Sequence, residues 1–205
     1  LTKTTQNLSG TPYNSWYTCP RDSKRTCLLD PYADTVNGKE MLMTTISVPL
    51  LVDGTTIGVV GVDIALDALQ AAAVESQRDL FNSAGHMLIV SGSGVLAGYS
   101  VDASKVGKSI ADTLGTDGKE VLQLLSAGTA KILEQGELIR AVYPVSPIAD
   151  SKPWGVVIDL PKSVLLADSV KLQAVLDEAQ QTGVITALLV AVVAGLIGLL
   201  LIWLT

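Results

Sequence analysis

The sequence has few of the residues that catalytic and metal sites need. It contains one histidine, His86, and two cysteines, Cys19 and Cys27, which together do not complete a tetrahedral zinc site. A serine hydrolase requires a base beside its nucleophile, and His86 has no evident carboxylate partner in the sequence. No Gly-rich phosphate loop, nucleophile elbow or HExxH motif occurs. We therefore predict that the chain is not an enzyme and has neither a metal site nor a cofactor.

Positive charge is also scarce. The formal net charge is −6 and the isoelectric point is near 4.7. The sequence shows no basic stripe with interleaved aromatic residues, which is the pattern typical of nucleic-acid-binding surfaces. We therefore expect no nucleic-acid partner.

One long apolar run is present, at the C-terminal end. Residues 183–204 carry no charge, and as a helix they would be about 33 Å long at about 1.5 Å per residue. The hydrocarbon core of a bilayer is about 30 Å thick, so we predict a single transmembrane helix here. The acidic flank at Asp177 and Glu178 favours an extracytoplasmic position for the preceding residues. This arrangement favours sensing, anchoring or adhesion over cytosolic chemistry.

The two cysteines lie eight positions apart in a stretch that includes Pro20. In an oxidising compartment such a pair favours a disulfide between Cys19 and Cys27, and two unpaired thiols are the alternative. Closing so short a loop stabilises a fold by about 2–3 kcal/mol in the chain-entropy treatment.

Turn residues and apolar periodicity divide the rest of the chain into α+β modules. Residues 1–35 read as irregular, with several Gly and Pro breakers. The Asp53-Gly54 pair predicts a hairpin turn between two strands, and Asp102 predicts a helix cap. The predicted strands are 41–51, 55–64, 87–90, 95–99, 130–134, 138–145 and 154–160, and the predicted helices are 65–81, 102–114, 116–128 and a long one from Pro161.

The pattern of strand, turn, strand and helix occurs twice, in residues 41–69 and 138–166. Both second strands end in similar residues, Val60-Gly61-Val62-Asp63 and Val156-Val157-Ile158-Asp159. The chain therefore reads as two duplicated modules.

Several motifs occur as a set: Trp16-Tyr17, Asp30-Pro31-Tyr32-Ala33-Asp34, residues 41–49, residues 58–63, and Lys152-Pro153-Trp154-Gly155. As a set they resemble the double Cache (dCache_1) domain in the periplasmic part of bacterial methyl-accepting chemotaxis proteins. The resemblance is closest to the members that sense amines such as polyamines or histamine.

The resemblance implies two tandem PAS-like Cache modules, with the membrane-distal module incomplete in this chain. The expected organisation is residues 1–65 for the distal module, 66–83 for a connecting helix, 84–162 for the membrane-proximal module, 163–182 for an exit helix and 183–204 for the span. It also implies a homodimer in the bacterial inner membrane, with the sensor in the periplasm and signalling partners in the cytoplasm.

The resemblance also implies a ligand site. Amino-acid-sensing members have an Arg two positions before the Trp-Tyr pair, then a Tyr-x-Asp and a strand-end Asp. Here the matching residues are Trp16 and Tyr17, Tyr32 and Asp34, and Asp63, with Tyr13 as a further candidate. The position of the Arg holds Asn14, so the bidentate clamp for a ligand carboxylate is missing.

Aromatic faces and carboxylates without a basic clamp suit a cation, so we expect a small amine ligand that lacks a carboxylate. The alternatives for these residues are structural. Asp63 can cap the helix that follows it, Asp34 can be a turn residue, and Trp16 and Tyr17 can be ordinary core. Basic residues between the cysteines can clamp an anion or simply face solvent; they are Arg21, Lys24 and Arg25.

Other functions remain open at this point. Within sensing, the alternatives are an amino-acid or quaternary-amine sensor, the input domain of a sensor histidine kinase or diguanylate cyclase, and a sensor that detects a binding protein. Outside sensing, the alternative is a structural or adhesion ectodomain, which needs no cluster of aspartates and aromatics.

Overall fold

Two antiparallel sheets organise residues 6–80 and 83–167, which are the residues that the computed structural model describes. We name the part before residue 66 the first module and residues 86–161 the second module. Both belong to one compact unit that ends at Pro161, and a second unit begins at Lys162. The elements are α1 Ser15–Ser23, β1 Cys27–Leu28, β2 Tyr32–Val36, β3 Lys39–Val52, β4 Thr55–Ala65, α2 Leu66–Asp79, β5 His86–Val90, β6 Leu96–Tyr99, α3 Ile110–Leu114, α4 Thr116–Ser126, β7 Lys131–Gln135, β8 Leu138–Val145, β9 Trp154–Pro161 and α5 Lys162–Leu165.

The predicted membrane helix over 183–204, and the predicted exit helix over 163–182 beyond its first residues, lie outside the described residues. None of the helices within 6–80 and 83–167 has the length and apolar character required to cross a membrane.

The first sheet is organised around β3, a strand of 14 residues. On one side β3 pairs with β1 and β2, and on the other side it pairs with β4. Both hairpin turns have two successive residues with positive φ, at Asn37-Gly38 (51° and 78°) and Asp53-Gly54 (49° and 74°). These values fit the turn geometry that Asn-Gly and Asp-Gly favour, and the predicted turn at Asp53-Gly54 is confirmed.

A β-bulge interrupts the pairing of β3 with β4. Leu50 pairs with Gly58 and Leu51 pairs with Thr56, which leaves Ile57 without a register partner. The bulge shifts the register of every later pair by one residue, and it therefore decides which residues of β3 share a face with Asp63.

The expectation that residues 1–35 are irregular was wrong. Ser15–Ser23 form a helix, although Pro20 lies inside it, and two strands follow. Local propensity argues against this helix because an internal proline removes a hydrogen bond and nine residues are too few to be stable alone. Tertiary contacts supply the stability: Pro20 is buried, α1 packs on β3 and β4, and a disulfide joins Cys19 to Cys27.

The second sheet has five strands in the order β6-β5-β9-β8-β7. Its helices α3 and α4 pack on one face through a core that includes Leu88, Ile110, Val121, Leu125 and Val157. The helix predicted from Asp102 to residue 114 is broken into a 3₁₀ turn at Ala103–Lys105 and α3, which Ser109 caps. Gly107 has φ +82° between the two pieces, so a continuous helix cannot form there.

The two modules share a buried apolar cluster. Leu66 at the start of α2 packs with Ala97 and Trp154 of the second sheet, and Leu28 and Leu42 of the first sheet pack against them. Trp154 therefore joins the second module to α2 and the first sheet.

Gly118 provides a test of helix packing in the second module. A Cβ at this position would lie 2.2 Å from the carbonyl oxygen of Ile110, and backbone cannot move away as a side-chain end can. We expect Gly118→Ala to lower the free energy of unfolding by about 2 kcal/mol despite its better helix propensity. Gly58→Ala is the control, because its nearest neighbour, Leu50 Cδ1, would be 3.4 Å away. Urea unfolding measures both, and equal stability of the two variants would contradict the described packing.

Candidate functional site

The candidate site lies on the face of the first sheet that α1 covers. The register pairs Thr45 with Asp63 across β3 and β4, and side chains at paired positions point to the same face. The face consists of Tyr32 and Asp34 of β2, Met41, Met43, Thr45 and Ser47 of β3, and Gly61 and Asp63 of β4. The carboxylates of Asp34 and Asp63 therefore occupy one surface.

Three of these residues form a connected set of hydroxyl and carboxylate groups. Thr45 Oγ1 donates to Asp63 Oδ1 at 2.6 Å, and Tyr32 Oη donates to the same oxygen at 3.3 Å. The hydroxyl oxygens of Tyr32 and Thr45 are 2.5 Å apart. Both bonds to Asp63 use Oδ1 and the residue is exposed, so the carboxylate can accept a further donor.

Tyr13 and Asp34 extend this set toward α1. The ring of Tyr13 meets the ring of Tyr32 edge-on, with the centroids 5.6 Å apart. Burial raises the pKa of Tyr13 above its ordinary value, and the hydrogen bond and charge of Asp34 raise it further. Burial is also the main reason that the pKa of Tyr32 is raised to about 12, with the charge of Asp63 contributing. The phenols therefore stay protonated and can donate to carboxylates.

Trp16 and Tyr17 come from α1. Trp16 packs against the cluster of buried residues that contains Tyr32 and Met43. Its ring lies 5.8 Å from that of Tyr17, in an edge-on contact. The structure thus places Trp16 in the same cluster as Tyr13 and Tyr32. Tyr17 is the next residue of α1, and its ring contacts that of Trp16.

The structure decides between the readings left open for the aspartates. Asp63 does not cap α2, because the N-cap residue is Ala65 and no side chain bonds to the cap. Asp34 lies within β2 rather than in a turn, and its Oδ1 accepts the N–H of Thr35 at 2.7 Å. Trp16 does pack in a hydrophobic cluster, so the core reading holds for part of its surface.

Neither Asp34 nor Asp63 forms an ion pair with any residue in the ranges 6–80 and 83–167. The same residues contain no group of three potential ligands placed to hold a metal ion. The site thus has negative charge and aromatic surface, and its described part supplies no cation of its own.

The basic residues near the disulfide are exposed and do not point to a carboxylate clamp. Arg21 pairs with its neighbour Asp22 at 2.6 Å and lies over the ring of Tyr17, and Arg25 pairs with Asp150 at 3.1 Å. Lys24 ends α1 in a left-handed conformation and is exposed. Of the two possibilities left open for these residues, the structure fits a surface that faces solvent.

Sequence reasoning missed Thr45 and Ser47. Thr45 holds Asp63 in place, and Ser47 is fully buried with no hydrogen-bond partner for Oγ among the described residues. The only signal was the polar pair Thr45 and Ser47 at alternating positions of an apolar strand. Their face could not be assigned without knowledge of the bulge.

Comparison with known proteins finds similarity to methyl-accepting chemotaxis proteins. Residues 2–71 match the family model of the first PDC sensor domain of methyl-accepting chemotaxis protein-like proteins. The matched range covers the first module and the first residues of α2. Over its whole length the chain is 40% identical to the methyl-accepting chemotaxis protein TlpQ of Pseudomonas aeruginosa, and it spans 29% of that protein.

Two solved structures share the fold of this chain. The extracellular domain of mmHK1S-Z3, a histidine kinase by its description, has a TM-score of 0.64 at 22% identity, over 78% of this chain and 58% of that one. The ligand-binding domain of the Pseudomonas fluorescens chemoreceptor CtaA, in complex with L-serine, has a TM-score of 0.53 at 21% identity, over 75% and 63%. At these identities the likeness supports the PDC/Cache-like fold, which confirms the predicted architecture at that level.

The pKa of Tyr32 makes a prediction about alkaline pH. Because the pKa is raised in the folded state, the stability that protonated Tyr32 contributes is present below about pH 10, where free tyrosine titrates, and is lost as the pH rises through about 12. The phenolate absorbance of the wild type minus that of Tyr32→Phe should therefore have its midpoint near 12. In Asp63→Asn the midpoint should fall, because a neighbouring negative charge has been removed. A midpoint near 10 in the wild type would contradict the described contacts.

Proposed function

We propose that this chain is the ligand-sensing extracytoplasmic part of a transmembrane chemotaxis receptor, and that its first module binds a small amine without a carboxylate. One observation carries the proposal: two carboxylates, Asp34 and Asp63, share an aromatic-lined face with no ion-pair partner among the described residues. A ligand cation supplies the missing positive charge. Polyamines and biogenic amines such as histamine fit this chemistry.

The contacts of the site set the role of each group. The ammonium donates to the free capacity of Asp63, whose orientation Thr45 and Tyr32 fix, and to Asp34. The face of Trp16 attracts the cation, a contribution of about 2 kcal/mol once water is excluded, whereas the ring of Tyr17 already has Arg21 over it. Gly61 leaves space beside Asp63, since even a Cβ there would have its nearest neighbour, Thr45 Cγ2, at 3.4 Å.

Asn14 is the reason for excluding a ligand carboxylate. Asn14 is the N-cap of α1, two residues before Trp16, and its carbonyl accepts the N–H groups of Tyr17 and Thr18. An amide at this position does not provide the paired, charged donors that an arginine offers to a carboxylate. An amino acid would thus bring a carboxylate to a site that already has two.

The relatives support sensing and leave other ligands as alternatives. TlpQ is a methyl-accepting chemotaxis protein, and CtaA was solved with an amino acid, L-serine. An amino-acid or quaternary-amine ligand is therefore the second candidate within the same function. The likeness to mmHK1S-Z3 keeps the input domain of a histidine kinase, or of a cyclase, as the alternative output.

A path for the signal begins at the site itself. Asp63 lies three residues before Leu66, which starts α2 and is fully buried against Ala97 and Trp154 of the second module. A ligand that binds Asp63 displaces the end of β4 and therefore also α2. We propose that this displacement transmits the signal from the periplasm, across the inner membrane of a homodimeric receptor, to signalling partners in the cytoplasm. The size of the shift is set by the difference in ligand affinity between the two signalling states of the receptor.

Asp63→Asn tests the amine site. The substitution keeps the size of the side chain but removes the charge that faces the ammonium, so binding should weaken by about 100-fold or more, equivalent to about 2.7 kcal/mol. Calorimetric titration of the full-length protein with putrescine, spermidine, histamine and choline measures the change. The matched control is Asp53→Asn, which removes the same charge from an exposed turn of the same sheet where Asn tolerates positive φ. Equal affinities of the two variants would contradict the proposal, and so would an absence of binding to any amine.

Asn14→Arg tests the role of the missing clamp. A guanidinium at this position can hold a ligand carboxylate through two hydrogen bonds, so affinity for L-amino acids should rise by at least about tenfold. Affinity for putrescine should fall, because a cation is added near the site. Asn14→Gln, which adds length without charge, is the control. Tight binding of amino acids by the wild type would show instead that another residue replaces the arginine.

A further inference from the structure

The second module repeats the register of the candidate site. In the first module Asp63 of β4 pairs with Thr45 of β3, and in the second module Asp159 of β9 pairs with Arg140 of β8. Each aspartate lies two residues before the end of the strand that comes last along the chain in its sheet, on the face that helices cover. Arg140 therefore occupies the strand position that Thr45 occupies in the first module.

Arg140 and Asp159 form a paired, two-bond contact. Nε of Arg140 donates to Oδ1 of Asp159 and Nη2 donates to Oδ2, both at 2.6 Å. Their side chains are only 4% and 6% exposed, so both charges are removed from water. Nη1 also reaches Asp117, at the start of α4, at 3.4 Å. Both oxygens of Asp159 are thus taken, whereas Asp63 has bonds to one oxygen only.

The positions next to the aspartate also differ between the two modules, and the second module again has the more filled arrangement. Where the first module pairs Ser47 with Gly61, the second pairs Val142 with Val157, both almost fully buried. Where the first module has Tyr32 on the adjacent strand, the second has Gln135. Aliphatic side chains therefore fill the volume that Gly61 leaves open, and the aromatic residue that contacts the aspartate is replaced.

We propose that Arg140 is an intramolecular substitute for a cationic ligand, so that the second module contains a latent guanidinium site which its own chain keeps occupied. The identification of this position with a ligand position depends on the proposed amine site of the first module. The consequence is a division of roles: an external cation binds at Asp63, while the second module stays closed and transmits the displacement of α2.

Removing the side chain should open the latent site. In the full-length protein Arg140→Ala leaves Asp159 buried without its partner, and the melting temperature should fall by about 10 °C. Ethylguanidinium has the size of the missing part of the side chain and should restore about half of that loss, with saturation at millimolar concentrations. Ethylurea is the neutral control of the same shape and should restore nothing. If Arg140→Ala is recovered only as aggregate, the refolding yield in the two additives gives the same comparison.

Two further variants show whether the rescue depends on Asp159. Arg140→Ala/Asp159→Asn should not respond to ethylguanidinium, because its charge has no carboxylate to meet. Arg140→Gln, which fills much of the space, should also not respond. No difference between ethylguanidinium and ethylurea in Arg140→Ala, or an equal rescue of the double variant, would overturn the proposal.

The wild-type stoichiometry provides an independent measurement. An amine should bind with at most one equivalent per chain, and that equivalent should be lost in Asp63→Asn. A second equivalent that survives Asp63→Asn and disappears in Asp159→Asn would overturn the proposal. Because this readout reports on Asp159 separately from Asp63, failure of the latent site and failure of the proposed amine site are distinguishable.

Discussion

A carboxylate at the end of the last strand must face positive charge or hydrogen-bond donors, and each module meets this requirement in its own way. In the second module both oxygens of Asp159 bond to the guanidinium of Arg140. In the first module Asp63 has only the hydroxyls of Tyr32 and Thr45, and it is exposed. The attraction between two buried charges offsets the cost of their desolvation only when the geometry is good. The two-bond contact between Arg140 and Asp159 has such geometry, so this pair is a structural element of the second module. The incomplete set in the first module leaves one oxygen of Asp63 for the proposed ligand.

The position of Asp63 depends on a single irregularity in the sheet. Without the bulge at Leu50 and Leu51, an uninterrupted hairpin from Asp53-Gly54 would pair Asp63 with Thr44 instead of Thr45. Alternate residues of β3 point to opposite faces, so Asp63 would then share a face with a different set of side chains. Helix α1 and its disulfide complete the arrangement, because they hold Trp16 against the cluster of Tyr32 and Met43 on the face that contains Thr45.

Much of this could be predicted, for identifiable physical reasons. The turns at Asn37-Gly38 and Asp53-Gly54 depend on positive φ angles that few residues tolerate. Strand β8 begins and ends where the alternation of apolar and polar residues predicted. Helix α1 could not be predicted, because burial of Pro20 and the link from Cys19 to Cys27 override its local propensity. Arg140 was missed as well, since an arginine in a strand reads as exposed until the register places it opposite Asp159. Thr45 was missed because one extra residue in β4 decides its partner.

We propose that the first module accepts a cation and rejects a carboxylate. Pairs of compounds that differ only in the carboxylate test this selectivity. Putrescine and ornithine form one such pair, and histamine and histidine form another. Calorimetric titration of the full-length protein with all four compounds gives the ratio of affinities within each pair. We predict that at least one decarboxylated member binds more tightly than its amino acid by about tenfold or more, because no arginine is present at Asn14 to hold the carboxylate. Equal or tighter binding of the amino acids in both pairs would contradict the account.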